Sequence, residues 1–478
     1  MRGNLRGEEL KIAFFQNKLE VYENLVEICL SRPRGFEEAF AYIEQAKSRN
    51  LMDLLIQPVH VPTETDAGQS DLVRSIRNLR EELNWYYNLI EREQLRPEEH
   101  SRTRIQQLQE QVRARETGLM RALQEASITE VNQAGLPAPS NMPLEQIRAS
   151  LPADTVVVEY FRVQDRAIAC ILGHDDLQIC PVTLRSRVQK LLQLLQFQLS
   201  KFRLEPQYVN TFQASMLEAT QGHLKGLYQE LVAPIRDLIN GKHVVFVPHG
   251  LLHYVPFHAL HDGQSYLIDQ FSISYAPSAS IYALCQASKE NTCSDSLVMG
   301  IADAQAPSIL DEVQAVRDLL PNARLFTGAD ATEDALRTHG SNSRIEHIAT
   351  HGYFRQDNPM FSSIRLGSSY LSLYDLYHFK LPAELVILSG CATGLNVVQP
   401  GDEQIGLVRG LLQAGAQSLI LSLWDVHDHS TKEFMIAFYT RLQQGDSKPV
   451  ALQRAMIELR QRYPHPYYWA PFTLIGKA

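Results

Sequence analysis

ELVILSGCATG, residues 384–394, sets four apolar residues (Leu385–Leu388) before Ser389, Gly390 and Cys391. A short aliphatic run closed by small residues reads as a buried strand. Gly390 lets the chain turn sharply, and the short Ser389 and Ala392 keep the thiol accessible. RIEHIATHG, residues 344–352, has the same build and ends in His351 and Gly352. His351 and Cys391 lie 40 residues apart, room for one crossover between neighbouring parallel strands. If both strands run the same way, imidazole and thiol emerge side by side at one rim.

Outward from these two runs, strand-like and helical patterns alternate. TVVVEYFRV and RAIACILG flank Gln164-Asp165 and read as a β-hairpin. Helical segments follow over 185–204 and 211–240, then the strand HVVFVP (243–248) closed by His249-Gly250. SLVMGI (296–301) precedes a helix over 309–320. ELVILSG leads into a helix near 403–415, and QSLILSL (417–423) into one over 430–443. A helix over 449–462 and the strand PFTLIG (471–476) close the chain. This alternation predicts an α/β fold with a mostly parallel sheet flanked by helices, whose function gathers at the carboxyl ends of the strands.

The N-terminal part reads as all-α. Two amphipathic helices span 8–57 and are broken at SRPRG (31–35); Ile12, Phe15, Leu19, Tyr22 and Val26 set the period of the first. Such a pair cannot bury its apolar face alone, so it either packs on the downstream chain or is the stump of a longer repeat array. PVHVPTETDAGQS (58–70) is rich in turn residues and reads as a linker. Residues 71–95 and 98–127 form a charged helical hairpin, broken at Arg96-Pro97. Ile76, Leu79 and Leu83 face Ile105, Val112 and Leu119 across its seam. Its many charges read as a solvated outer face.

At 478 residues the chain predicts about three units. A hydrophobic content of 45% suffices for cores, and a net charge of −9 argues against a primary role in binding nucleic acid. Six cysteines, none in a CxxC pair, are read as free thiols in a reducing compartment. The N-terminus is too charged for a secretory signal, and no apolar run reaches the roughly 20 residues of a membrane span. The expectation is a soluble cytoplasmic protein.

A thiol beside an imidazole is a nucleophile with its base. Free cysteine titrates near 8.5 and is only slightly ionised at neutral pH. An adjacent imidazole takes the thiol proton during attack and returns it to the leaving group. Backbone donors must then hold the oxyanion. The N–H groups of Gly352 and Cys391 are the candidates. Either residue alone would read as a bystander, since a free cysteine is usually a small buried hydrophobe. The paired placement after two strands is what points to catalysis.

HIATHGYF (347–354) and LVILSGCATG (385–394) resemble the two signature blocks of the CHAT domain, a family of caspase-like proteases found joined to tetratricopeptide repeats. VVFVPHGLLHYVPFHAL (244–260), GLVRGLLQAGAQSLILSLWDVHD (406–428) and HPYYWAPFTLIG (465–476) resemble three further blocks, in the family's order. The resemblance covers about residues 150–478. EQAKSRNLMDLL (44–55) resembles the segment joining the repeats to the protease. The resemblance implies a caspase-like fold and peptide-bond hydrolysis by a dyad, with His351 as base, Cys391 as nucleophile, and Gly352 and Cys391 as backbone oxyanion donors. It implies tetratricopeptide-like helices over 1–57, a helical region over 70–135, a degenerate companion half over 150–290 and a catalytic half over 291–478. Strand-Pro-His-Gly at 248–250 echoes strand-Thr-His-Gly at 350–352.

The sequence departs from animal caspases. Ser389 stands where they carry glutamine two residues before the nucleophile. Leu423-Trp424 is followed by Asp425, where they carry an arginine that binds an acidic substrate residue. Separases resemble this chain there and prefer basic residues. The expected pocket therefore favours Arg or Lys, with Asp425 as its best acid and Asp303 and Asp428 as weaker candidates. Each aspartate also fits an ordinary loop or helix-cap role.

His249, His253, His258 and His261 cluster, but Pro248, Gly250 and Pro256 oppose a regular helix and no HExxH or CxxC spacing occurs, so neither metal nor cofactor is expected. No GxSxG, P-loop or GxGxxG motif occurs. The expected partners are a protein substrate and a regulatory protein bound through the helical repeats, with no membrane and no nucleic acid; oligomeric state stays open. Loops 353–383 and 394–404 are expected to gate Cys391. Two rival readings stay open: a catalytically silent scaffold of the same fold, and thiol chemistry on a small molecule.

Overall fold

The computed structural model describes residues 19–47, 51–52, 55, 70–94, 101–130, 142–289, 291–304, 306–355, 357–367, 369–390, 397–399 and 403–478. Cys391, the 58–69 linker, the Arg96-Pro97 break and the start of the first predicted helix lie outside the described residues.

Four described helices precede the sheet: α1 (Leu19–Leu30), α2 (Phe36–Ala46), α3 (Ser70–Gln94) and α4 (Ser101–Glu130). The short helix α5 (Leu144–Ser150) leads into strands β1 (Thr155–Val163), β2 (Arg166–Leu172) and β3 (Leu177–Leu184). Helices α6 (Arg185–Ser200) and α7 (Pro206–Leu231) follow, then β4 (His243–Val247), β5 (Ser272–Tyr275) and α8 (Ala279–Ala287). The C-terminal part runs β6 (Ser296–Gly300), α9 (Ile309–Leu319), β7 (Ala323–Thr327), α10 (Glu333–Gly340), β8 (Ile345–Ala349), β9 (Gly352–Tyr353), β10 (Ser363–Leu366), β11 (Ser369–Ser372), α11 (Leu373–Leu376) and β12 (Leu385–Leu388). It ends with β13 (Val397–Gln399), β14 (Glu403–Ile405), α12 (Leu407–Ala414), β15 (Ser418–Ser422), α13 (Asp428–Gln443), α14 (Lys448–Arg462), α15 (Pro466–Trp469) and β16 (Phe472–Gly476).

Eleven strands form one sheet in the order β3-β2-β1-β4-β5-β16-β15-β12-β8-β6-β7. Pairing is parallel except at β3-β2, β2-β1 and β16-β15. The central strands β4, β8, β12 and β15 are buried at every position. Helices cover both faces, so these strands carry continuous rather than alternating apolar runs. The last strand, β16, joins the two parts of the sheet, pairing with β15 on one side and β5 on the other. The α/β class expected from the sequence, a mostly parallel sheet flanked by helices and preceded by N-terminal helices, is the one observed.

The N-terminal pair α1–α2 packs against the sheet. Val26, Cys29, Phe40 and Ile43 join a core with Val157, Phe161, Val245 and Tyr282 on one of its faces. Lys47, fully buried, donates to the carbonyls of Tyr160, Val247 and Pro248 at 3.1, 3.4 and 2.7 Å and lies 3.4 Å from the buried Glu159. Glu44 accepts from the N–H groups of Ala279 and Ser280 at the start of α8, where a carboxylate also meets the helix dipole.

The hairpin α3–α4 has the predicted seam, with Leu83, Val112 and Leu119 buried. Its charges are not all solvated, which corrects the sequence expectation. Glu116 is only 2% exposed. It accepts from Tyr87 Oη at 2.8 Å, Asn358 Nδ2 at 2.9 Å and Arg355 Nη1 at 2.8 Å. A carboxylate this deep persists because its lone pairs are filled by partners, two of them, Arg355 and Asn358, from a distant part of the chain.

Several short elements escaped the sequence reading. The edge strand β3 contains Pro181, beside a register shift opposite Ile168; proline is tolerated at such places because no ladder donor is required. Strands β5 and β7 are four and five residues long. Residues 353–383 are not a plain loop: β9, β10 and β11 form a second sheet, followed by α11. The helix expected from 403 starts only at Leu407, because Glu403–Ile405 pair with Val397–Gln399 as a two-stranded ribbon. That ribbon is the described part of the second expected gate.

Candidate active site

β8 and β12 are parallel neighbours, with Leu385 opposite Ile345 and Leu388 opposite Ile348. The ladder's last bond runs from Ser389 N to Ile348 O at 3.1 Å. Both strands therefore release their next residues at one rim. His351 lies two residues past β8, and the chain continues through Gly390 towards Cys391.

Gly390 is fixed by close backbone approach. A Cβ there would fall 2.0 Å from the Thr350 carbonyl oxygen and 3.3 Å from Gly352 N. Any side chain would push apart the two segments that carry the expected dyad. From the other side, Ser422 Oγ donates to the Gly390 carbonyl at 2.5 Å, so the turn is held from both neighbouring strands.

The His351 backbone is held just as closely. Thr350 Oγ1 donates to Arg365 O at 2.7 Å, and Arg365 N donates to His351 O at 3.1 Å. Gly352 enters β9 and stands opposite Ile364 of β10. The His351 ring is 19% exposed, open enough to meet a substrate and closed enough to be held.

Asp303 reaches this ring. Its Oδ2 lies 2.8 Å from His351 Nε2 and 3.6 Å from Arg365 Nη1. The approach to the ring is oblique, for Nε2 has no aligned hydrogen bond among the described residues. At 2.8 Å the contact is electrostatic, and alignment of such contacts commonly tightens only with substrate. Asp303 Oδ1 accepts from Ala306 N at 3.1 Å, which fixes the carboxylate in its own turn.

The three aspartates read as pocket acids thus have three different surroundings. Asp303 sits against the histidine and an arginine, so its charge is already engaged. Asp428 is the first residue of α13, which His427 caps, and it accepts from the N–H of Ser308, just before α9, at 2.9 Å. Asp425 follows β15, the strand beside β12, and is 32% exposed. Its partner is Arg203, whose Nε donates to Oδ2 at 2.7 Å and whose second guanidinium nitrogen also contacts Oδ2. Arg203 is itself 72% exposed. Trp424 is anchored by Nε1 donating to Tyr467 O at 3.1 Å.

Two of the clustered histidines, His258 and His261, have separate structural partners. His258 is buried between Tyr275 Oη at 2.8 Å and Ala470 O at 2.9 Å, and burial pushes its pKa down to about 4. His261 receives Gly263 N at 3.1 Å. Among the described residues no group of three His, Cys, Asp or Glu side chains could hold a metal ion. No described helix is long and apolar enough to cross a membrane.

Sequence reasoning missed Asp303's place on the histidine and Arg203's place on Asp425. A signal existed for the first: Asp303 follows a strand that pairs with β8. None existed for the second, because 222 residues separate the partners.

A family model described as CHAT domain matches residues 221–477, over half of the chain. The human protein named tetratricopeptide repeat protein 28 is 26% identical over a match taking in 53% of this chain, and its mouse counterpart is 27% identical. The chain spans only 13% of the length of these curated relatives. Among solved structures, the Saccharomyces cerevisiae separase–securin complex is similar at TM-score 0.39 and 16% identity, covering 85% of this chain and 27% of that one. The Arg-specific cysteine proteinase gingipain R is similar at TM-score 0.38 and 10% identity, covering 54% of this chain and 67% of that one.

Proposed function

This chain belongs to the CHAT domain family, and from that premise we propose that it is a cysteine endopeptidase that cuts a partner protein after a basic residue. The observation that carries the reading is the pair of adjacent parallel strands β8 and β12, whose next residues lead to His351 and towards Cys391. In this reading His351 is the base and Cys391 the nucleophile. With Nε2 turned to Asp303, Nδ1 is the nitrogen left to exchange a proton with the thiol.

The chemistry balances within the dyad and one water. His351 takes the thiol proton as sulfur bonds to the scissile carbonyl carbon. The oxyanion is held by the N–H groups of Gly352 and Cys391. The C–N bond breaks, the amine leaves with the proton from His351, and a thioester remains. Water, deprotonated by His351, then adds to the thioester, and the departing thiolate recovers the proton.

Asp303 takes the role of orienting His351 in this mechanism, which leaves Asp425 as the acid that receives a basic substrate residue. Two basic groups already face Asp303, which disfavours admitting a third charge there. Arg203 now satisfies Asp425 from the chain's own α6–α7 turn, so a substrate arginine or lysine would have to displace it. The helices α1–α4 are the surface for a regulatory partner. In the same reading residues 150–290 are a companion half without its own dyad.

The test compares wild type with Cys391→Ala on fluorogenic peptides varied at the residue before the cut. Cleavage after Arg or Lys by wild type alone is expected. Cysteine-dependent cleavage after other residues would keep the peptidase and remove the basic pocket. Cleavage surviving in Cys391→Ala would overturn the mechanism. A silent scaffold of the same fold would bind the same partner equally well with and without Cys391 and never cut it.

A further inference from the structure

We infer that Glu312 is a positioning residue for the dyad, because one of its carboxylate oxygens ties the strand that leads to His351 to the strand that leads to Cys391. The inference rests on the dyad reading above.

Ser389 Oγ donates to Glu312 Oε1 at 2.6 Å, and His347 Nε2 lies 3.0 Å from the same oxygen. Ser389 comes directly after β12; His347 lies within β8, four residues before His351. On its other side, His347 Nδ1 lies 3.3 Å from Tyr439 Oη. Glu312, His347, Ser389 and Tyr439 are each no more than 4% exposed. In the tautomer of a neutral His347 that puts its hydrogen on Nε2, the ring donates to Glu312 Oε1 and Nδ1 accepts from the Tyr439 hydroxyl. Burial and the nearby Glu312 charge raise the Tyr439 pKa, so the phenol keeps its proton. The donors Tyr439, His347 and Ser389 then form one network that ends on Oε1.

Stability alone does not account for this network. Apolar residues of similar volume at such positions are often neutral or stabilising compared with buried charge. Location gives it a purpose. Ser389 makes the last ladder bond through its backbone N–H while its side chain is tied to Glu312, so it is held at both points just before Gly390 leaves the sheet. Glu312 lies on α9, at the far end of the connection that begins with Asp303 after β6. One crossover therefore touches the expected base through Asp303 and, through Glu312, both β8 and the residue that follows β12. Misplacing a reacting group by about 1 Å costs on the order of a hundredfold in rate.

The test uses the full chain carrying Glu312→Gln or Glu312→Leu. It reads kcat and KM on a cleaved peptide, Tm, and the iodoacetamide alkylation rate of Cys391 resolved from the other thiols by peptide mass mapping over pH 5–9. Gln keeps an acceptor for both donors and is expected to stay within about threefold of wild type. Leu is expected to lower kcat and the neutral-pH alkylation rate by about ten- to a hundredfold, with KM nearly unchanged. A folded Glu312→Leu with wild-type kcat and alkylation would overturn the inference. If that variant does not fold, Ser389→Ala removes one hydroxyl from the network; about a threefold or larger fall in kcat supports the inference, and no change overturns it. Failure of the dyad itself shows in other proteins: wild-type Cys391 alkylating no faster than in His351→Ala would overturn the dyad, and this inference with it.

Discussion

Asp303 Oδ2 lies 2.8 Å from His351 Nε2, although 48 residues separate them in the chain. Two strands, β6 and β8, are direct neighbours and bring them together. If Asp303 orients the base, Asp303→Asn lowers kcat by about ten- to a hundredfold and leaves the order of preference among peptides unchanged. If instead it receives the substrate's basic residue, the same change raises KM selectively for Arg and Lys peptides. A kcat–KM comparison over the peptide panel separates the two, and the first outcome is expected.

Arg203 and Asp425 make an exposed ion pair of little value to stability. Arg203→Ala is expected to leave Tm within a few degrees and to lower KM for Arg and Lys peptides severalfold, since the acid no longer has an internal partner. Asp425→Ala is expected to lower kcat/KM for basic peptides by about a hundredfold or more, because a charged substrate group would lose its counter-charge. Unchanged KM in Arg203→Ala would show that Asp425 lies outside the substrate path.

Glu116 and Arg355 join the α3–α4 hairpin to the segment after β9. Glu116 is almost fully buried, so removing its partner strands a charge. Arg355→Ala is expected to cost about 3 kcal/mol. The expected signature is faster proteolytic cutting within the hairpin, seen before global unfolding. Glu116→Gln with Arg355→Gln, which removes both charges while keeping hydrogen bonds, should recover part of the loss. Equal proteolysis of wild type and Arg355→Ala would show that the hairpin is held by its apolar seam alone.

Glu346 on β8 is fully buried, and neither carboxylate oxygen has a hydrogen-bond partner among the described residues. Burial raises its pKa well above the ordinary carboxylate value, so the folded protein holds this proton to higher pH than the unfolded chain does. Above about pH 4.5 the unfolded chain releases that proton while the folded chain holds it. The folded state then binds more protons, and this group's contribution to stability falls as pH rises. Glu346→Gln is expected to raise Tm at about pH 7 to 8 and to change it little near pH 4. An equal shift at both pH values would mean that packing, not ionisation, explains the gain.

His258 and His465 pull the other way. Burial lowers both to about 4, so the unfolded chain takes up protons below its ordinary histidine range near 6.5 before the folded chain does. Their contribution is complete above that value and is lost as pH falls towards about 4.

Much of the architecture was legible in the sequence because central parallel strands are buried on both faces. HVVFV, IEHIA, LVIL and SLILS need no partner to declare themselves. The hairpin seam was legible for a similar reason, since helical period marks a face wherever apolar residues recur. Short edge elements were not. FSISY and ARLFT carry too few residues to show a period, and Pro181 disguised β3. Residues 353–383 looked like a gate because strands of two to four residues leave almost no local signal.

Local composition and order are enough to place His351 and Cys391 each after a largely apolar run, with Gly352 and Gly390 beside them, in blocks that resemble those of the CHAT domain. Those facts are written in neighbouring residues and need no fold to be read. Folding alone decided which acid faces the histidine, which arginine holds Asp425, and that Glu116 and Glu312 sit buried among partners from distant segments. A carboxylate's role depends on the groups within about 4 Å of it. In this protein those groups arrive from strands and helices up to 242 residues away, a proximity that folding creates and spacing along the chain does not carry.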